Sequence, residues 1–378
     1  MFIKFALRNN LLYPCLFVLS LFLRMAVKFI FNLNTFKGIE TTFIIFLIVY
    51  FIQFIMGLFI ILYRKKVNKP KKEEVHINGM RLINKNKGLT MPDKPYKICI
   101  LIFFSAFFEI TGALSRRYFT RKLPQDRYDE YHAKFKSIEI FLASLLCYLT
   151  FHINILKHQL LSLIIIFICL IIVLLIDIFR EDDIKGNIAN IIISSICRVF
   201  LDITEKYLFE YDYIDVYIIM GYEAIINCIL TPILYISDKP RKEIQNIFAH
   251  NYCVLILFLL ILYSIFTLFK NIYRRFTIKF YSPMTRAFAE SILDPIFIIS
   301  DYIFNKESYK KKYSFIITLS CCIITVLCSC IYNEVFILYC CGLEYETHYE
   351  ISNRSETIEM PSIIQNDERF LENEDTIN

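Results

Sequence analysis

Ten apolar runs, each near the length needed to cross a lipid bilayer, constrain this chain more than any motif it contains. They cover residues 11–33, 41–63, 97–118, 135–151, 158–179, 188–209, 213–236, 250–272, 281–304 and 313–337. A helix of about 20 apolar residues spans the hydrocarbon core, where only helices and closed barrels satisfy every backbone N–H and C=O. Composition points the same way: 56% of residues are hydrophobic and 21% charged, with a mean hydropathy of +0.49. A soluble domain carries more charge and fewer such runs. The expected fold is therefore all-α, a polytopic membrane protein of about ten transmembrane helices. The first run is too long for a signal-peptide core, contains Arg24 and Lys28, and precedes no small-residue cleavage site, so it reads as the first span. There is no Trp, which leaves the interfacial aromatic role to the 25 Tyr.

The fourth run is short, and several runs carry charge. The ninth, FYSPMTRAFAESILDPIFIISDYIF (280–304), holds Arg286, Glu290, Asp294 and Asp301. On a continuous helix the three acids lie at roughly 40°, 80° and 60° from Arg286, one narrow face. Ser282 and Pro283 supply an N-cap and a first-turn proline. The sixth run gathers Arg198, Asp202, Glu205 and Lys206 on one side in the same way. Arg24 and Lys28 lie in the first run, Glu109 and the following Arg116 in the third, Glu139 in the fourth and Glu223 in the seventh. A charge in lipid is expensive, so faces that collect charges point to a hydrated interior. The structural alternative is that Arg286 and Glu290, at i,i+4, lock helices together. Near span ends, Lys206 and Arg116 can snorkel to the interface.

Residues 64–72, RKKVNKPKK, hold six basic residues in nine and mark a cytoplasmic side. With an even number of spans, both termini are then cytosolic. KNIYRR (270–275) reads as a second basic cytosolic loop and REDD (180–183) as an outer acidic one, while YKKKY (309–313) dissents. The linker 64–96 is polar and basic, with a composition that can also touch anionic lipid. The tail 343–378 is acidic and too polar to fold alone. Most of the 13 Cys lie in apolar runs and no zinc-type CxxC pairing occurs, so neither metal nor cofactor is expected. Cys340 and Cys341, just beyond the last run, suit juxtamembrane S-palmitoylation.

An internal repeat underlies the order of spans. RRYFTRKLPQDRYDEYHAKFKSIEIFLASLL (116–146) and RRFTIKFYSPMTRAFAESILDPI (274–296) each open with Arg-Arg-aromatic and enter a span bearing an early glutamate, Glu139 or Glu290. Each is followed by one more apolar span. Spans three to five thus match spans eight to ten, and an odd number per unit makes the second copy inverted, an arrangement used by transporters. Arg24 and Arg198 become repeat partners, and Glu139 is set opposite Glu290 across a cavity. The domains are expected at 1–179 (first repeat, including the linker 64–96), 180–342 (second repeat) and 343–378 (tail).

Three stretches, 138–175, 205–225 and 281–288, carry a resemblance to the drug/metabolite transporter superfamily, in its nucleotide-sugar-transporter-like branch, solute carrier family 35. Residues 138–175 are similar to that branch's fourth span, short turn and fifth span. EKYLFEYDYIDVYIIMGYEAI (205–225) resembles its sixth-span exit and a Gly-aromatic-Glu-small element, here Gly221 to Ala224. YSPMTRAF (281–288) resembles the opening of its ninth span. The charged first span depart from the pattern, as does HINILKH where many members have Gly-Glu. The resemblance implies ten helices, cytosolic termini and alternating access.

The expected function is secondary-active transport or exchange of a small polar, anionic solute, a nucleotide sugar or related metabolite. Its expected binding residues are Arg24, Lys28, Glu109, Glu139, Arg198, Asp202, Glu223, Arg286, Glu290 and Asp294. The basic members suit a phosphate or carboxylate, and Glu139, Glu290 and Asp294 suit a proton or a sugar hydroxyl. The alternatives are a non-transporting multi-pass scaffold and, less favoured, a membrane enzyme. The six His are scattered and no nucleophile arrangement sits near an interface, so no catalytic residue is assigned. The expected partners are the solute and the bilayer, with no nucleic acid. A homodimer is compatible with the chain, as is either an endomembrane (Golgi or ER) or a plasma-membrane location.

Overall fold

The structure, a computed structural model, describes residues 3–5, 12–31, 42–67, 95–122, 136–151, 155–178, 184–212, 214–234, 245, 247–304 and 312–338. Its helices are α1 (Leu12–Phe31), α2 (Thr42–Val67), α3 (Pro95–Lys122), α4 (Lys136–Phe151), α5 (Lys157–Ile178), α6 (Ile184–Glu210), α7 (Val216–Leu234), α8 (Cys253–Phe280), α9 (Pro283–Ser291), α10 (Asp294–Phe304) and α11 (Lys312–Tyr332). Each of the ten apolar runs carries helix, and the ninth carries two. The expectation of an all-α chain is modified only by two three-residue strands, β1 (Ile3–Phe5) and β2 (Phe336–Leu338). They pair antiparallel, Ile3 opposite Leu338 and Phe5 opposite Phe336. The entry to α1 and the exit from α11 are therefore held at the same end of the bundle. The tail, Cys340, Cys341, most of the linker and the REDD loop lie outside the described residues.

Two expectations about helix boundaries are corrected. KNIYRR is not a loop: α8 runs unbroken through it to Phe280, because no Gly or Pro interrupts the chain before Pro283. Its Arg274 and Arg275 are buried, so they cannot mark a membrane side. The ninth run is not one helix. α9 starts as expected, with the Ser282 hydroxyl accepting from the Thr285 N–H at 3.0 Å. It then stops at Ser291, a turn follows in which the Leu293 N–H reaches Glu290 O at 3.3 Å, and α10 begins at Asp294. Pro295 accounts for the break, since it has no N–H for the Ser291 carbonyl and its ring clashes there.

Packing is by close helix pairs. α3 lies along α6, α2 along α7, α1 along α8 and α5 along α11, while α4 packs on α6 and on α9. The α2–α7 crossing is tightest at two glycines, where a Cβ added to Gly57 would lie 2.6 Å from Gly221 Cα. Small residues allow such backbone approach between helices in lipid.

Polarity is inverted relative to a water-soluble bundle. Phe59, Phe107, Leu149, Ile168, Phe258 and Ile316 face outward, whereas Glu139, Asp202, Glu205, Arg275 and Arg286 are completely buried. Among the described residues, the helices Lys157–Ile176, Cys253–Phe280 and Tyr313–Tyr332 are long and apolar enough to cross a membrane. Both features are compatible with a membrane protein.

Candidate functional site

The buried charges meet in one continuous chain of ion pairs across the bundle. At one end, Glu223 on α7 accepts from the Ser105 hydroxyl on α3 and from Arg275 on α8. Arg275 Nε also donates to Glu205 at 3.1 Å, and Glu205 accepts from Arg274 at 2.5 Å. These two arginines are neighbours in sequence, yet both turn inward because α6 presents Asp202 and Glu205 to that side of α8. Arg274 donates in turn to Asp202 at 2.6 Å. Asp202 then accepts from Arg286 on α9.

Arg286 joins that half of the chain to the other. It pairs with Glu139 on α4 and, one turn along α9, donates to Glu290 at 2.8 Å. Lys136 Nζ donates to both glutamates, at 2.5 Å to Glu139 and 2.6 Å to Glu290. Arg198 Nη1 lies 3.2 Å from Glu290, and its Nε is 4.0 Å from Glu139. Among the described residues, the chain thus links five carboxylates (Glu139, Asp202, Glu205, Glu223, Glu290) with five cations (Lys136, Arg198, Arg274, Arg275, Arg286). In a low-dielectric interior such matching is required, because a buried charge without a partner is driven to neutrality.

The expected site residues divide against this geometry. Glu139, Arg198, Asp202, Glu223, Arg286 and Glu290 belong to the ion-pair chain. Glu139 and Glu290 do not face each other across a cavity, as their repeat relationship suggests, but share one ammonium group. Asp294 is buried beside them at the start of α10, with the Pro295 break between it and Glu290. Glu109 stands off the other end, half-buried, accepting from Asn227 Nδ2 at 2.8 Å. Arg24 is separate: its Nε donates to Tyr263 OH at 2.8 Å, and its guanidinium lies 5.2 Å from that ring's centre. Lys28, half-buried in the last turn of α1, is not one of the five linked cations. The side chain of Asp301 lies outside the described residues, as does that of Arg116.

Sequence reasoning missed three of the five cations. Lys136 sits in what looks like an amphipathic link, although its i,i+3 spacing to Glu139 was a readable signal. Arg274 and Arg275 were hidden in a basic cluster of the kind that usually sets topology. Lys206, expected near a span end, donates to the backbone carbonyls of Lys279 (3.2 Å) and Tyr281 (2.8 Å). It thereby fastens the end of α8, where the helix has unsatisfied acceptors.

No family model matches the chain, and no characterised protein matches it in sequence.

Proposed function

We propose that the chain is a membrane protein of ten helical spans, built as two inverted five-helix repeats. In this reading it is a secondary-active transporter or exchanger of a small polar, anionic solute, working by alternating access. The observation that carries the proposal is the balanced ion-pair chain, which joins α4 of the first repeat to α6, α7, α8 and α9 of the second. Buried ion pairs are weak devices for stability, since apolar residues of equal volume usually serve as well or better. They are suited instead to switching, because a guanidinium among several carboxylates can exchange partners when helices shift. Lys136 and Arg286 each hold two or three carboxylates. An anionic solute can take the place of one of them.

The pattern of helix packing supports the repeat. Exchanging α1 to α5 with α6, α7, α8, the α9–α10 pair and α11 turns the α1–α8 contact into α6–α3. It also turns α1–α9 into α6–α4 and α2–α8 into α7–α3, and all of these contacts occur. The pairs α2–α7, α4–α9 and α5–α11 map onto themselves. Pairing of β1 with β2 agrees with an even number of crossings, as cytosolic termini require.

The test is uptake into proteoliposomes holding the full-length protein, across a panel of nucleotide sugars, free nucleotides and small organic anions. Saturable flux of at least one solute, stimulated by the same solute inside, is expected. Absence of flux across the panel would favour the non-transporting scaffold.

A further inference from the structure

Beside the ion-pair chain lies a buried acid that is not one of its members. Asp294 is only 5% exposed, and among the described residues no Lys, Arg or His lies within ion-pair distance of its carboxyl group. The charged groups near enough to act on it are Lys136, Glu290 and Glu139. Lys136 is already held by both of those glutamates at 2.5 and 2.6 Å. From the other elements packed there, α11 presents Cys322 against Ile298, and α1 presents Phe17 and Leu21 to Leu293 and Phe297. Neither supplies a described positive charge at this point. The position is fixed by the helix break: Pro295 ends the α9 register and starts α10 with Asp294 in its first turn.

We propose that Asp294 is a proton-binding site, occupied in this conformation, and that its proton keeps the site neutral for an incoming anionic solute. The inference rests on the transporter reading for its purpose, but the proton site is a property of the protein alone. With Asp294 ionised beside the five linked carboxylates, these groups hold six negative charges against the five of the linked cations. One proton, transferred from water to a carboxylate oxygen of Asp294, restores the balance with no other bond made or broken. With Asp294 ionised an incoming anion meets a site already one charge negative, and with the proton in place it meets a neutral one. The two therefore travel in the same direction.

The experiment needs no identified solute. The full-length protein in liposomes is titrated with acid and base while infrared difference spectra record the C=O stretch of protonated carboxylic acids. The wild type is expected to show absorption of this kind at neutral pH, a component of which is lost in Asp294→Asn and retained in Glu290→Gln. Asp294→Asn is expected to fold with unchanged thermal stability, because the amide is close in shape to a neutral acid. Asp294→Glu keeps the band at a shifted frequency and guards against a variant that fails to fold. A band of equal size in Asp294→Asn, or a stability loss in that variant as large as in Glu290→Gln, would overturn the proposal. Repeating the titration with radiosodium present distinguishes the other small cation: sodium bound in place of the proton, with the band missing at neutral pH, would also overturn it. Loss of the band in Asp294→Asn without solute flux would leave the proton site standing and remove the transport reading.

Discussion

Replacing Arg286 by Gln probes the ion-pair chain at its central link. The guanidinium is fully buried and is shared among Asp202, Glu139 and Glu290. After substitution, Asp202 keeps Arg274, Glu139 keeps Lys136, and Glu290 keeps Lys136 and Arg198. No carboxylate is stripped bare, yet five acids must share four cations. Breaking a buried pair costs about 3–5 kcal/mol, and the surviving partners set the expected loss at the lower end, about 3 kcal/mol. The measurement is reversible unfolding in mixed micelles. Adding Asp202→Asn in the same molecule restores the charge count, so the double variant should recover at least about 1 kcal/mol relative to the sum of the single losses. A single variant within about 0.5 kcal/mol of wild type, or a double variant that merely adds the two losses, would refute the idea that these residues act as one coupled unit.

Gly57→Ala drives a methyl group into Gly221 Cα across the α2–α7 crossing and should cost about 1–3 kcal/mol, read in the same unfolding assay. Arg198→Gln should weaken binding of an anionic solute on the order of tenfold or more, since a charge-assisted contact contributes about 1.5–3 kcal/mol. Arg24→Gln, whose arginine is held by Tyr263, should weaken it less, and equal losses in a ligand thermal-shift titration would contradict that ranking. On the proposed topology, which puts the tail in the cytosol away from the glycosylation machinery, the sequon Asn353-Arg354-Ser355 should stay unglycosylated in eukaryotic cells. A glycan on Asn353, detected by a glycosidase-sensitive mobility shift, would contradict the even span count.

Helices were legible in the sequence because apolar length alone dictates them in lipid, and the start of α9 was legible to the residue because Ser282 and Pro283 form a local start signal. What the sequence concealed were partnerships. Lys136 and Glu290 are far apart in the chain, so nothing local distinguishes Lys136 from a solvated lysine in a polar link. Arg274 and Arg275 follow a long apolar run, where basic residues ordinarily reach for water. Only the facing carboxylates of α6 and α7 turn them inward. Pro295 was readable as a stop, but the apolar residues on both sides argued for continuity, and a helical wheel drawn through it set Asp294 on a surface that does not continue.

The pairing of β1 with β2 gives assembly a definite last step. Residues 3–5 emerge from the ribosome long before their partners at 336–338, which lie at the end of the last apolar run. The strands cannot pair until the helices between them are packed in the order that brings the end of α11 back to the start of α1. On the proposed ten-span topology, a chain that misses one crossing presents its two ends on opposite faces of the bilayer, with no route to that ladder. In that reading the closed two-stranded ladder is a record of complete insertion, written where a protease or a chaperone on one side of the membrane can read it.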